Sequence, residues 1–249
     1  MKKIFNGSRV GQWSLLAMLL LALCVVLPTV FAPSDAAATI AVKLDVDGLT
    51  TSADAVLMGR VKGLQSRWEG SRIITEVEVE VAMPVMGKVD VGQVVKVQVL
   101  GGRVGDLAQA VSGTAAFVPG EDVMLFVERP ASLANVNRVV GMSQGKYSVV
   151  KGPDERMWAV RDLSGLTLAD VEPAPDGQRL VARITHEHPE ELGAVPVDTL
   201  IKEVALSASR VDVAMHPVLL ERLGADLSRS YDFSALFEGM DKVDLKPVE

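Results

Sequence analysis

The feature that most constrains this sequence is a stretch in which valine and glutamate alternate. The segment from Ile73 to Val81 reads Ile-Ile-Thr-Glu-Val-Glu-Val-Glu-Val, with valine at 77, 79 and 81 and glutamate at 76, 78 and 80. Successive side chains of a β-strand point to opposite faces, so this pattern predicts a strand with one buried and one solvated face. The β-branched content favours the same assignment, because such residues fit a pleated, packed surface.

Several neighbouring segments are typical of partner strands. Strands are predicted from Ala55 to Trp68, from Gln93 to Leu100 and from Asp122 to Val127, each bounded by turn residues. The central strand is expected to end at Met83-Pro84, because proline cannot donate to a strand ladder. Short strands without regular helical crossovers predict a mainly β fold, either a closed antiparallel barrel or a sandwich, with a small helical C-terminal appendage.

The N-terminal residues predict a secretory signal peptide. Lysines at positions 2 and 3 precede an apolar run at 15–27, which is short for a membrane span of ~20 residues, and alanines at 36–38 form a cleavage pattern. The alternative is an uncleaved anchor at 13–30. Cleavage would place the chain in the periplasm or outside the cell, without a membrane span.

Composition excludes several classes of function. Cys24 is the one cysteine among 249 residues, so the cleaved chain would have no disulfide, no thiolate nucleophile and no cysteine metal site. A net charge of -7 disfavours nucleic acid as a partner, since a duplex binder needs a concentrated basic face. No cofactor, no resident metal and no catalytic residue are predicted.

Four parts are predicted along the chain. They are a signal peptide at 1–38, a β-barrel domain at 39–168, a linker at 169–195, and a helical C-terminal appendage and tail at 196–249. In the last part Asp198 is expected to cap a helix from Thr199 to Ala208, which should pack against the barrel, and a second short helix is expected from His216 to Ala225.

Two constellations offer alternatives in which the protein is a hydrolase. Gly141-Met142-Ser143-Gln144-Gly145 matches the G-x-S-x-G pattern of a nucleophile elbow, but that motif needs a following helix, whereas the next residues are strand-like. A glycine-edged hairpin is therefore the preferred interpretation. His186-Glu187-His188, with His216 as a third ligand, could hold zinc, although a solvated loop is preferred because the segment lies in the predicted linker.

Two further patterns are interpreted structurally. The glutamates at 76, 78 and 80 could suggest glycoside cleavage, but carboxylates on one strand face more often keep that face solvated. The segment from Gly101 to Gly105 resembles part of a phosphate-binding loop and lacks the full glycine pattern, so a barrel corner is preferred.

The order of segments between Ala53 and Val150 resembles secreted OB-like barrels of the netrin and tissue-inhibitor-of-metalloproteinase type. The matching segments are Ala53–Val61, the valine strand, and Gly120–Val127. The chain is also similar to exported bacterial proteins of unassigned function that carry a G-E-x-V-x-L-F strand followed by V-G-x-x-Q-G, here Val140–Gly145. The resemblance implies an OB-like barrel. Inhibitors of that type chelate a protease zinc through an N-terminal cysteine, which the cleaved chain lacks.

These observations predict an exported, non-catalytic binding or accessory module. It would engage another exported protein, such as a protease, through barrel loops. The alternatives are a hydrolase that uses Ser143 or a histidine-bound metal, and a structural envelope protein.

Overall fold

The structure is a computed structural model that describes residues 39–130, 136–173, 180–184, 194–210, 215 and 217. The second helix predicted at 216–225 and the three histidines lie outside these residues, apart from position 217. In chain order the elements are β1 (Thr39–Val42), α1 (Val46–Ser52), β2 (Ala55–Glu69), β3 (Arg72–Met86), β4 (Val94–Leu100), β5 (Gly102–Val104), β6 (Leu107–Gln109), β7 (Asp122–Glu128), β8 (Arg138–Val139), β9 (Lys146–Lys151), β10 (Met157–Val160), β11 (Leu166–Pro173), β12 (Leu180–Ile184), β13 (Val195–Pro196) and α2 (Val197–Arg210).

The described strands form three sheets. The largest has the order β13-β10-β9-β7-β2-β3-β4, with β8 also paired to β7, and all of its pairs are antiparallel. A second sheet has the order β1-β11-β12, in which β1 and β11 are parallel. β5 and β6 form a hairpin. The prediction of a mainly β fold is confirmed.

Strand β3 confirms the alternation read from the sequence. Val77, Val79 and Val81 are buried, whereas the glutamates between them are partly exposed. Lys96 of β4 approaches Glu76 at 2.9 Å and Glu78 at 3.0 Å across the ladder. These ion pairs are open to solvent and contribute little, so the buried valines provide most of the stabilisation at this strand.

The predicted end of the central strand at Met83-Pro84 is wrong, because β3 continues to Met86. β4 pairs with β3 only between Ile74 and Glu80, so Pro84 lies beyond that ladder. On the other side, Pro84 opposes Leu57 where the register between β2 and β3 shifts. Proline is tolerated at sheet edges and bulges, since no regular ladder hydrogen bond is lost there.

The centre of the largest sheet is buried on both faces. On β7, Met124 and Phe126 belong to a core that both helices cover. The alternate residues Val123, Leu125 and Val127 belong to a second core with the valine face of β3. Strands buried on both faces read as continuous apolar runs, as in Asp122–Glu128. The first core also contains four fully buried methionines, at positions 58, 83, 86 and 124.

Helix α2 confirms the predicted helix and extends it at both ends. Leu200, Ile201 and Val204 are buried on the side that joins the first core, so the helix packs against the sheet as expected. Asp198 lies in the first turn and is not the N-cap, because the helix already begins at Val197. Its carboxylate accepts a hydrogen bond from Arg156 at 3.2 Å and lies at the positive end of the helix dipole.

Closure of a barrel is not found, since no sheet of the described residues closes on itself. The arrangement is compatible with a sandwich. An isolated bridge joins Val97 of β4 to Asn137 beside β8, and the Asn137 side chain donates to the Lys96 carbonyl at 2.8 Å. In the same described residues, no helix is long and apolar enough to cross a membrane.

Candidate functional site

The G-x-S-x-G segment forms a loop within an interrupted strand, and the predicted hairpin is wrong. Both β8 and β9 pair antiparallel with β7, so they run in the same direction along one edge. The backbone of Phe126 bonds both ends of the loop, with its N–H donating to Gly145 and its carbonyl accepting from Val140, each at 2.9 Å. No helix follows the motif, because β9 begins at Lys146.

Among the described residues, Ser143 has no hydrogen-bond partner that would activate it. Its side chain is buried, and its Oγ makes no hydrogen bond. A serine nucleophile needs a base within hydrogen-bond reach and access to substrate. The sequence pattern therefore marks a structural loop, and the backbone agrees, since Gly141 and Met142 both have positive φ, at 62° and 67°.

Gln144 is the residue of this loop that connects distant parts of the chain. It is almost fully buried, and its Oε1 accepts from the Leu44 N–H at 2.8 Å while its Nε2 donates to the Val42 carbonyl at 2.9 Å. A weaker bond of 3.2 Å runs from Nε2 to the Gly141 carbonyl. Gln144 thus attaches the end of β1 to the body of the protein.

The other residues singled out from the sequence do not converge on a site. His186, His188 and His216 lie outside the described residues. Within the described part of the chain, no group of three His, Cys, Asp or Glu side chains could hold a metal ion. The glutamates of β3 remain a solvated face, and the segment at 101–105 forms strand β5 and the turn into β6.

A partly buried polar cluster that the sequence analysis did not predict lies beside β9. The Lys146 ammonium contacts the Glu121 carboxylate and donates to the Ser148 hydroxyl at 2.7 Å, and Ser148 donates to Glu121 at 2.6 Å. Phe117 lies under the ammonium at 5.6 Å. The three groups satisfy one another, which is what a buried charge requires, so the cluster fastens the turn before β7 to β9.

The described residues also enclose a cleft of about 380 Å³ between α2 and the inner side of the β1-β11-β12 sheet. Its apolar lining is Leu44, Val46, Leu163, Leu168, Val195 and Leu206. The polar lining includes Arg161 and Tyr147, whose ring lies 5.0 Å from the Arg161 guanidinium carbon. Burial raises the pKa of the Tyr147 hydroxyl, while Arg161 opposes that shift.

The opposite side of the same sheet carries an uncharged surface, here called the outer face. The register places Val42, Ala169 and Ile184 in one row and Ile40 beside Thr167, and Val171 follows along β11. Four of these side chains are large, apolar and exposed, at 61% for Ile40, 51% for Val42, 39% for Val171 and 45% for Ile184. The inner face packs Leu166 and Leu168 against the body.

Comparisons with known proteins give no assignment. No protein-family model, no curated protein and no solved structure matches this chain.

Proposed function

We propose that this protein is an exported, non-catalytic binding or accessory module that engages another exported protein, such as a protease, through the outer face. The four exposed apolar side chains on that face, around the buried Ala169, are the observation that carries the proposal. Single exposed apolar residues are common on protein surfaces, whereas apolar side chains that share one sheet face mark interaction sites. The N-terminal signal pattern supports export of the chain.

The form of the outer face supports a protein as the partner. The described side chains at its six positions are Ile, Val, Thr, Ala, Val and Ile, without a charge. β-branched side chains on a pleated surface are rigid, so they lose little side-chain conformational entropy on binding. Such a surface suits a preformed apolar patch on another folded protein.

We infer that the β2-β3-β4 sheet, β7 and β8 form a partly open OB-like barrel, bridged at Asn137 and enclosing the valine core. Two observations support it: the Val97 bridge beside β8, and the Gln98 N–H, which donates to the Asn137 carbonyl at 2.9 Å.

The proposal is tested by capture from the native exported fraction with outer-face variants. Ile40→Glu and Ile184→Glu place a charge on exposed positions, so both variants should fold. The matched control is Leu107→Glu, which changes an equally exposed residue on the β6 hairpin. The expected result is a specific partner recovered with the wild-type protein and with Leu107→Glu, and lost with both outer-face variants.

Two outcomes would overturn the proposal. Equal recovery of every bound protein with the outer-face variants would show that this surface is not the docking site. Recovery of no specific protein by the wild-type chain, after cross-linking in the exported fraction, would favour the structural envelope alternative.

A further inference from the structure

The cleft beside α2 contains an arginine, Arg161, whose charge is not paired within the part of the chain that the structure describes. In the described part of the chain Arg161 forms no ion pair, and its Nε is buried without a hydrogen-bond partner. Buried donors are nearly always satisfied, so an unpaired guanidinium nitrogen calls for an explanation. The guanidinium rests on the Tyr147 ring, which holds it in place at the cleft.

Two of the three acids that line the cleft are engaged elsewhere. Asp45 accepts from the Gly48 N–H at 2.7 Å as the N-cap of α1, and Asp47 pairs with Arg210 at 3.1 Å. Glu203 also lines the cleft, but no ion pair joins it to Arg161 among the described residues. The remaining terminal N–H groups of Arg161 are therefore available to an anion, which guanidinium binds in a bidentate manner.

The rest of the cleft lining is mostly apolar, which indicates an apolar ligand. Leucine and valine side chains from the β1–α1 connection, β11, β13 and α2 converge on the cleft, whose volume lies in the ordinary range for small-molecule sites. The Gln144 amide is already bonded to the backbone at Val42 and Leu44, so it offers little to a polar ligand. An apolar chain with one charged end matches this distribution of groups.

We propose that this cleft is a binding site for a small amphipathic monocarboxylate, with the carboxylate on the Arg161 guanidinium and the hydrocarbon chain against the leucines. The site is independent of the proposed protein-binding function, since the outer face lies on the other side of the β1-β11-β12 sheet. Leu168 faces the cleft, and its neighbour Ala169 lies on the outer face.

The test is isothermal titration of the purified protein with octanoate, octanol and octylamine. Saturable binding is expected for octanoate, with weaker binding of octanol and none of octylamine. Arg161→Gln should weaken octanoate binding about tenfold or more, since it removes a charge-assisted pair. The control Arg103→Gln, on the exposed β5 hairpin, should leave the Kd unchanged.

A second variant covers the case in which Arg161→Gln fails to fold. Glu203 is exposed and repels an anion in the cleft, so Glu203→Gln should tighten octanoate binding about two- to threefold. Ile184→Glu should bind octanoate like the wild type, which separates this site from the outer face. Any of three results would overturn the proposal. They are equal affinity for octanoate and octanol, absence of saturable octanoate binding, and a Glu203→Gln protein that binds octanoate no better than the wild type.

Discussion

Replacement of Gln144 by leucine should loosen β1 and destabilise the protein. The substitution keeps the side-chain volume and removes three hydrogen bonds, of 2.8, 2.9 and 3.2 Å. Each such bond contributes about 1 kcal/mol, and the Leu44 N–H and Val42 carbonyl would then be left without their partner. We expect a loss of about 2–4 kcal/mol in the free energy of unfolding.

Urea unfolding measures this loss, and hydrogen exchange locates it. The Leu44 amide should lose protection first, because its N–H is bonded to Gln144 alone among the described residues. The matched control is Gln93→Leu, which removes an exposed hydrogen bond to the Asp90 N–H and should cost less than about 0.5 kcal/mol. A Gln144→Leu protein as stable as this control, with unchanged protection at Leu44, would refute the reasoning.

Three further predictions concern the core, the pH dependence and the serine motif. Gly59→Ala would place a Cβ 2.3 Å from the Glu80 carbonyl oxygen and should lower the free energy of unfolding, measured in urea, by about 1–3 kcal/mol. The control Gly63→Ala meets nothing within 4 Å and should lower it by less than about 1 kcal/mol. Burial raises the pKa of Tyr147, so its contribution to stability is complete below the unfolded pKa of about 10 and is lost as pH rises through the folded pKa. A Tyr231→Phe protein keeps Tyr147 as its one tyrosine, and its absorbance titration should have a midpoint above 10. A midpoint at or below 10 would contradict the burial of the Tyr147 hydroxyl. Ser143→Ala should leave stability unchanged or raise it by up to about 1 kcal/mol, since the hydroxyl is buried without a partner among the described residues. A fluorophosphonate probe, which labels active serine nucleophiles, should label neither the wild type nor the variant. Labelling of the wild type alone would support the hydrolase alternative.

Local patterns in the sequence predicted the elements whose periodicity is strong. The alternation at 73–81 is a strand with buried valines, and the apolar spacing at 199–208 is a helix on the core. Each of these elements buries one apolar face whatever its partner is, so the spacing of apolar residues along the sequence is enough to identify it.

Pairings between distant segments could not be read from the sequence. β1 pairs in parallel with β11, across more than a hundred residues, and no local pattern specifies that register. The loop at 141–145 was predicted to be a hairpin because glycines bound it, yet β8 and β9 both pair with β7. β12 also falls within the predicted linker at 169–195, a prediction that rested on the prolines and glycine at 173–177.

The candidate sites depend on those distant pairings. The outer face exists because β1, β11 and β12 lie side by side, and the cleft collects side chains from segments between Lys43 and Arg210. The Lys146, Ser148 and Glu121 cluster gave one weak signal in the sequence, a lysine and a serine two residues apart on a strand, which share a face.

The most direct test of protein binding through the outer face is site-specific photo-cross-linking in the native exported fraction. A benzophenone amino acid is placed at position 40 or 184 on the outer face, and at position 107 on the β6 hairpin as the control. One and the same cross-linked protein is expected from positions 40 and 184, and no such product from position 107. Absence of a product from both outer-face positions, or an equal product from position 107, would contradict protein binding through the outer face.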